Sequence, residues 1–393
     1  MNLSDRIGKW SATCHTSIAG IPEADWNDCA GKKDPFVRHQ HLRALEESGV
    51  VSPDTGFSPR HIALRDDCGN IVAAAPAYLK THSHGELGVD IGLAMAHERS
   101  IGPYYPKLQV EVPFTPISGS RLLIKEGVEA TTARAELLNR LKKQASKYRA
   151  ASVQLSYMSN EDENCVRQSE FITTEGNAYV WNADGINNFD DFIGKMRSSK
   201  RSKLLSDRRK VAASGLKFRS FSGKEIGPDL APKFYELYKS TFVRNTTAPW
   251  LNLNYFEMVL ECMKDSLEMT IALKDEAWIA ARLDVLTTDI RFAQHWGHTG
   301  SVPFLLFEMG IYQTIEQAIA TNQNIINFGT TGLHKSERGI PMEPTRHAMW
   351  FNESDFNEIA EMGLNRKRES ALQERLSEAE RLPFRRSPSN EKP

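Results

Sequence analysis

Residues 325–339 read IINFGTTGLHKSERG. A short apolar run (Ile325, Ile326, Phe328) breaks into glycine and threonine, then delivers His334, Lys335, Glu337 and Arg338 within five positions. Apolar residues followed by Gly329 and Gly332 predict a buried strand that ends in an irregular, exposed loop. Loops held at strand ends by a rigid sheet are where catalytic groups concentrate. An ordinary strand exit with solvated charges is the competing reading.

Outward from this stretch, strands and helices alternate. Upstream, 304–321 reads as a helix, preceded by two long strands at 277–287 and 290–298 with a turn at Lys274-Asp275-Glu276. Downstream, TRHAMWF (345–351) reads as a strand and 353–381 as a charged amphipathic helix with a frayed polar end. In the first half, RHIALRDDCGNIVAAAPAYLK (60–80) reads as a hairpin turning at Asp66–Asn70. LQVEV (108–112) reads as a strand, 128–149 as a helix, and 151–157 and 177–182 as strands. Short helical pieces are expected at 17–30 and 34–48, the second opening at Asp34-Pro35. The order of elements in the two halves is similar without a residue-level repeat. The expected class is α+β, with mixed sheets covered by helices, in three parts: 1–186, 187–352 and a C-terminal helix and tail at 353–393.

The chain has 393 residues, 40% of them hydrophobic, with a net charge of −1, so it can bury two cores and has no global bias toward nucleic acid or membrane. Its five cysteines are scattered, odd in number and form no CxxC pair, which argues against a zinc or disulfide framework and fits a reducing cytoplasm. No signal-like N-terminus and no 18-residue apolar window is found. A cytoplasmic protein is expected.

One local charge cluster stands out. Between Lys195 and Lys210 lie eight cations (Lys195, Arg197, Lys200, Arg201, Lys203, Arg208, Arg209, Lys210) against one acid, Asp207. The predicted helix over 195–214 places 197, 200, 201 and 208 on one side. Phosphate is the simplest partner for such a face; a merely solvated face is the alternative. No aromatic residue is interleaved for base stacking. The histidine pairs 39/41, 82/84 and 295/298 lack the spacing of a metal site, so no metal is expected, and His298 is read as lining a cleft. P-loop, dinucleotide and GxSxG signatures are absent.

The blocks DPFVRHQHLRALEESG, SPRHIALRDDCGNIVAAAPAYLKTHSHGE, YYPKLQVEVPFTPISGSRLL, SSKRSKLLSDRRKVAASG, HWGHTGSVPFLLFEMGIYQTIEQAI and GLHKSERGIPMEPTRHAMW, in this order, resemble a bacterial family of N-acyltransferases in the FemAB-like branch of the GNAT superfamily, described as peptidoglycan-biosynthesis-like. The resemblance spans about residues 17–385. It implies two tandem GNAT-like domains facing each other across a cleft. It also implies that the basic helix opens the second domain and contacts a phosphate-bearing partner. In Fem-type enzymes a strand ending in Phe-Gly-Gly leads to a Phe-Lys pair near the transferred acyl group. By that likeness Lys335 takes the lysine's place, with His334 where the aromatic stands. A second departure is LGVDIGLAMAHERSIG (87–102), which keeps Asp90 and Glu98 but lacks the family's aromatics. The substrate is therefore expected to differ. The segment before the 304–321 helix also lacks the RxxGxG/A loop that would cradle a coenzyme A pyrophosphate.

The expected reaction is acyl transfer to an amine. An α-amino group with a pKa of about 8 needs modest help to lose its proton, and Glu337, His298 and Glu308 are base candidates in that order. The oxyanion falls to Lys335 or to backbone amides at Gly329–Gly332. Arg197, Lys200, Arg201, Arg338, Glu308, Gly329, Thr330 and Asp90 are the expected substrate contacts, with Arg338 equally an ion-pair partner. No cofactor is expected. The donor is a co-substrate, aminoacyl-tRNA in preference to acyl-CoA, and the acceptor carries an amine. A non-catalytic binder of RNA or a nucleotide-linked ligand on the same scaffold is the reading from another class.

Overall fold

A computed structural model describes residues 10–85, 91–244, 248–300 and 302–385. In chain order the strands and helices of the first half are β1 (Ser11–His15), α1 (Glu23–Ala30), α2 (His39–Glu47), β2 (Phe57–Pro59), β3 (His61–Arg65), β4 (Ile71–Ala75), β5 (Tyr78–Lys80), α3 (Ile91–Ser100), β6 (Lys107–Val110), β7 (Leu123–Ile124), α4 (Ala130–Lys147), β8 (Ser152–Leu155) and α5 (Asn160–Val166). Then follow β9 (Ile172–Asn182), α6 (Phe189–Gly194), α7 (Ser198–Ala212), β10 (Lys217–Ser222), α8 (Ala231–Arg244), α9 (Leu253–Cys262), β11 (Leu267–Lys274), β12 (Ala277–Leu286), β13 (Ile290–His298), α10 (Leu305–Phe307), α11 (Gln313–Ala320), β14 (Ile325–Asn327), β15 (Met342–Phe351) and α12 (Asn357–Arg381). The class is α+β, as the sequence predicts.

Two compact units result, and neither is continuous in sequence. The first comprises 1–176 with 344–372, the second 177–343 with 373–393. The sequence reading sets its divisions at 187 and 353; here β9, β15 and α12 each contribute residues to both units.

In the first unit β1, β3, β4 and β7 form an antiparallel sheet. A second run of pairings goes β15–β8–β6–β5–β2, with β6 and β8 parallel. Successive strand residues point to opposite faces, so register divides this sheet sharply. Leu108, Val110, Val153, Leu155 and Ala348 share a face and pack with Leu137, Leu138 and Leu141 of α4 in one apolar core. The opposite face carries Tyr78, Lys80, Lys107, Gln109, Ser152 and Gln154.

In the second unit the order is β10–β11–β12–β13–β14–β9. All neighbours are antiparallel except β13 and β14, and the α10–α11 segment makes the crossover that parallel neighbours require. Register slips where β12 meets β13: Asp284 faces Ala293 and Leu283 faces His295, leaving Gln294 bulged. At Gly297 the backbone of α8 passes so close that an added Cβ would lie 2.2 Å from the Leu237 carbonyl carbon.

Two expected helices are interrupted. The basic segment breaks at 195–197 into α6 and α7; there Arg197 N–H donates to the Pro383 carbonyl at 2.9 Å, and Met196 bridges to Phe384. The 304–321 helix widens into a π turn at Glu308–Tyr312. The turn's Met309 carbonyl is satisfied sideways, by Thr314 Oγ1 at 3.0 Å and by the buried Arg282 guanidinium from β12. Arg282 is held in turn by Asp284, and Arg291 joins Asp284 and Glu268, so two buried cations share one buried carboxylate and one partly exposed one. No described helix is long and apolar enough to cross a membrane.

Candidate functional site

The stretch quoted first is built as a strand exit clamped at both ends. Phe328 N–H donates to the Tyr179 carbonyl at 2.8 Å and Tyr179 N–H to the Gly329 carbonyl at 2.9 Å, extending the β14–β9 pairing by one step. Gly329, at φ 75°, then turns the chain away, and its N–H is taken by Asn327 Oδ1 at 2.8 Å. Gly332 (φ 107°) starts a 3-10 turn over Leu333–Arg338, and Gly339 (φ 89°) ends it. These three positions need the left-handed freedom that glycine has.

Lys335 holds this loop from inside. Its ammonium donates to the Phe328 carbonyl and, at 2.6 Å, to the Thr331 carbonyl, and stands 5.3 Å from the Tyr179 ring. Burial pushes its pKa down to about 8. Two of its three protons are engaged by main-chain oxygens, so one remains to offer a ligand. Beside it, the N–H groups of Thr330 and Thr331 have no acceptor among the described residues.

His334 and Arg338 share an aromatic wall. The Arg338 guanidinium carbon lies 3.3 Å from the Phe307 ring centroid, the His334 ring 5.4 Å from it, and Arg338 Nη1 donates to the His334 carbonyl at 3.1 Å. Burial, then the charges of Lys335 and Arg338, hold the His334 imidazole below its ordinary pKa, so it is neutral at pH 7. Arg338 Nε is buried without a partner among the described residues.

The turn and the basic helix meet in a pocket lined by Lys200, Lys203, Asp207, Tyr312, Glu337 and Arg338 over an apolar floor of Met196 and Leu204. Among the described residues the side chains of Lys200, Arg201 and Lys203 engage no carboxylate. Three cations in the first two turns of α7 run against its macrodipole, which favours anions at that end. Burial raises the Tyr312 hydroxyl to about 12, with the nearby Arg338 charge acting in the opposite direction.

The sequence-predicted residues therefore separate. Lys200, Glu337 and Arg338 line this pocket, whereas Gly329, Thr330, His334 and Lys335 belong to the loop that leads to Glu337 and are not part of the lining. Arg197 does not: Nη2 donates to the Leu382 carbonyl at 2.7 Å and Nε to that of Pro383 at 3.3 Å. Glu308 is buried and its carboxylate is taken by Arg208, which also binds Glu316. His298 sits at the far end of β13, its ring 5.6 Å from Trp296 and its carbonyl accepting from Ser240 Oγ at 2.5 Å. Arg201 lies on α7, half-buried, outside the pocket lining. Asp90 lies outside the described residues. Lys203 and Asp207, named in the charge cluster but not among the expected contacts, and Tyr312, not singled out at all, complete the lining; the signal for the first two was their spacing of three and seven from Lys200 on a helix.

No group of His, Cys, Asp and Glu among the described residues is arranged to hold a metal ion. A family model described as FemAB-like, peptidoglycan biosynthesis/recognition, matches residues 17–386. Among solved structures, FemX is 11% identical, with 89% of this chain and 99% of FemX covered at a TM-score of 0.51. The C-terminal domain of a putative lysylphosphatidylglycerol synthetase from Agrobacterium fabrum is likewise 11% identical, with 91% and 98% covered at 0.52. At such identities the likeness is one of fold. A comparison with curated proteins finds no match. With nearly its whole length accounted for by one family model, the chain belongs to the FemAB-like family.

Proposed function

We propose that the protein is an N-acyltransferase that moves an acyl group, aminoacyl from aminoacyl-tRNA, onto the amine of a small or peptide-like acceptor. The observation that carries this reading is the pocket lined by Lys200, Lys203, Glu337 and Arg338, with Glu337 and Arg338 at the end of a loop that holds two uncommitted amides. The cations form a track for a phosphate backbone. Glu337 takes the proton as the amine attacks the ester carbonyl. The N–H groups of Thr330 and Thr331, with the remaining Lys335 proton, stabilise the oxyanion of the tetrahedral intermediate. Collapse forms the amide and breaks the ester C–O bond, and the departing ribose oxygen of the tRNA takes the proton that Glu337 accepted, leaving as the hydroxyl and restoring the carboxylate. Lys335 is first the clasp of this loop and second a donor. Its site-facing proton is held more loosely than an ordinary lysine's because of burial.

Purified protein incubated with a mixture of charged tRNAs, acyl-CoAs and amine acceptors, followed by mass spectrometry of products, tests the reading. New amide formed from charged tRNA, and lost in Glu337→Gln, is the expected result. Product from acyl-CoA alone would reassign the donor. Tight tRNA binding with no turnover under any donor would replace the enzyme with a binding protein.

A further inference from the structure

Six of the fifteen residues of α7 are cations, yet one of its faces is apolar and open. Leu205 is 40% exposed on that face, and Phe218 of β10 stands 37% exposed beside it. Single exposed hydrophobics are ordinary, whereas these two line one concavity. Leu205, Val211, Ala212 and Phe218 form the apolar part of a cleft of about 530 Å³ within the second unit, and Arg208, Arg209 and Glu308 supply its charge. Val211 is 1% exposed and packs in the small core of Ala272, Ala280, Leu305 and Met309, so the cleft opens directly onto that core. β10 ends its sheet, and among the described residues no strand pairs with its outer edge. No α7 residue of the Lys200–Glu337 pocket recurs in this lining.

The charges decide what fits. Arg208 is committed, since its guanidinium holds both Glu308 and Glu316. Arg209 is not. Its Nε donates to the Leu205 carbonyl at 3.3 Å, one turn back on the same helix, and no carboxylate pairs with it among the described residues. The macrodipole favours a cation in the last turn of a helix, which accounts for Arg209 itself but not for the open apolar floor beside it. A concave, mostly apolar site with one directed polar group is the usual form of a small-molecule site.

One uncommitted guanidinium at an apolar cleft complements a molecule with one anionic head and one apolar chain. A peptide or a nucleotide would leave polar groups unpaired against Leu205, Val211 and Phe218. We propose that this cleft binds a medium-chain fatty acid, its carboxylate on the Arg209 guanidinium and its alkyl chain along Leu205, Val211 and Phe218. The proposal makes no use of the transfer reaction, and it is read as binding without turnover, so it stands or falls apart from the proposed function.

Titration calorimetry on the full chain provides the test, with hexanoate, octanoate and decanoate as probes below their micelle-forming concentrations and acetate and decylamine as controls. Decanoate is expected to bind one to one, with affinity rising about twofold to fourfold for each methylene added from hexanoate upward. Acetate is expected not to bind, and decylamine to bind at least tenfold more weakly than decanoate. Leu205→Ser and Phe218→Ser are each expected to weaken decanoate at least fivefold while the ligand-free Tm stays near that of the parent, because both side chains are already exposed. They lie on different elements, so a variant that fails to fold leaves the other to decide. Arg209→Gln is expected to abolish the preference for decanoate over decylamine. The proposal is overturned if decanoate does not bind, if affinity is independent of chain length, or if uptake continues beyond one molecule per chain without saturating. Parent-like binding in Arg209→Gln, or in both serine variants, would overturn it as well.

Discussion

Arg208 meets Glu308 through two nitrogens, Nη2 to Oε1 at 2.9 Å and Nε to Oε2 at 3.0 Å, while the same guanidinium binds Glu316 at 2.7 Å. This forked contact ties α7 to the π turn, and it takes Glu308 out of contention as a base. Arg208→Ala should destabilise the protein by about 3 kcal/mol, because a buried carboxylate is left unpaired. The double variant Arg208→Met with Glu308→Leu should recover most of that loss. Urea unfolding of the three proteins measures both effects; equal stability of Arg208→Ala and parent would refute the account.

Lys335 gives a pH dependence whose sign can be worked out. Its folded pKa is about 8, against an ordinary 10.5 in the unfolded chain. Between those values the unfolded state binds more protons, so this residue makes stability rise with pH from about 8 to 10.5 and adds no slope below 8. Lys335→Met should remove that rise from the difference between the two stability curves. A lysine-selective NMR titration showing a midpoint near 10.5 would contradict the assignment.

The cations of α7 should behave in two ways. Lys200→Ala, Arg201→Ala and Lys203→Ala should each lower the slope of log K for tRNA against log salt by about 0.7–0.9. Arg197→Ala should leave the slope unchanged and lower Tm instead, because its guanidinium holds main-chain carbonyls of Leu382 and Pro383. Identical slopes in all four variants would remove the phosphate track.

Gly297→Ala should be among the most damaging single-methyl changes in the second unit. The new Cβ would fall 2.2 Å from the Leu237 carbonyl carbon and 2.3 Å from the Tyr238 nitrogen. Main chain cannot rotate aside as a side chain can, so α8 must lift from β13. A loss of about 3 kcal/mol or more is expected by denaturant unfolding.

Local patterns were readable from the sequence, and distant partnerships were not. The hairpin β3–β4 was legible because apolar strands flank a polar turn at Asp66–Asn70, and β11–β12 because Asp275 and Glu276 fill a tight turn, where both take positive φ. The loop at Gly329–Gly339 was legible because its glycines and charges are contiguous. Helix α3 was not, since Ile91 to Ser100 has no strong apolar stripe and buries only Leu93 and His97. Nor was the break at 195–197, which depends on a carbonyl at Pro383. Glu308 read as an open carboxylate only because its partner Arg208 lies 100 residues earlier. Sequence spacing brought Lys200 and Lys203 together on α7, but could not reveal that Glu337 and Arg338 would face them.

The last described residues also bear on how the protein should be handled. Phe384 packs against Phe192, and its ring would sit 2.9 Å from a Cβ on Gly339, the residue that ends the Lys335 turn. A deletion that reaches Phe384 therefore acts on the support of the candidate site. Loss of activity in such a preparation would report a loosened turn rather than a missing catalytic group.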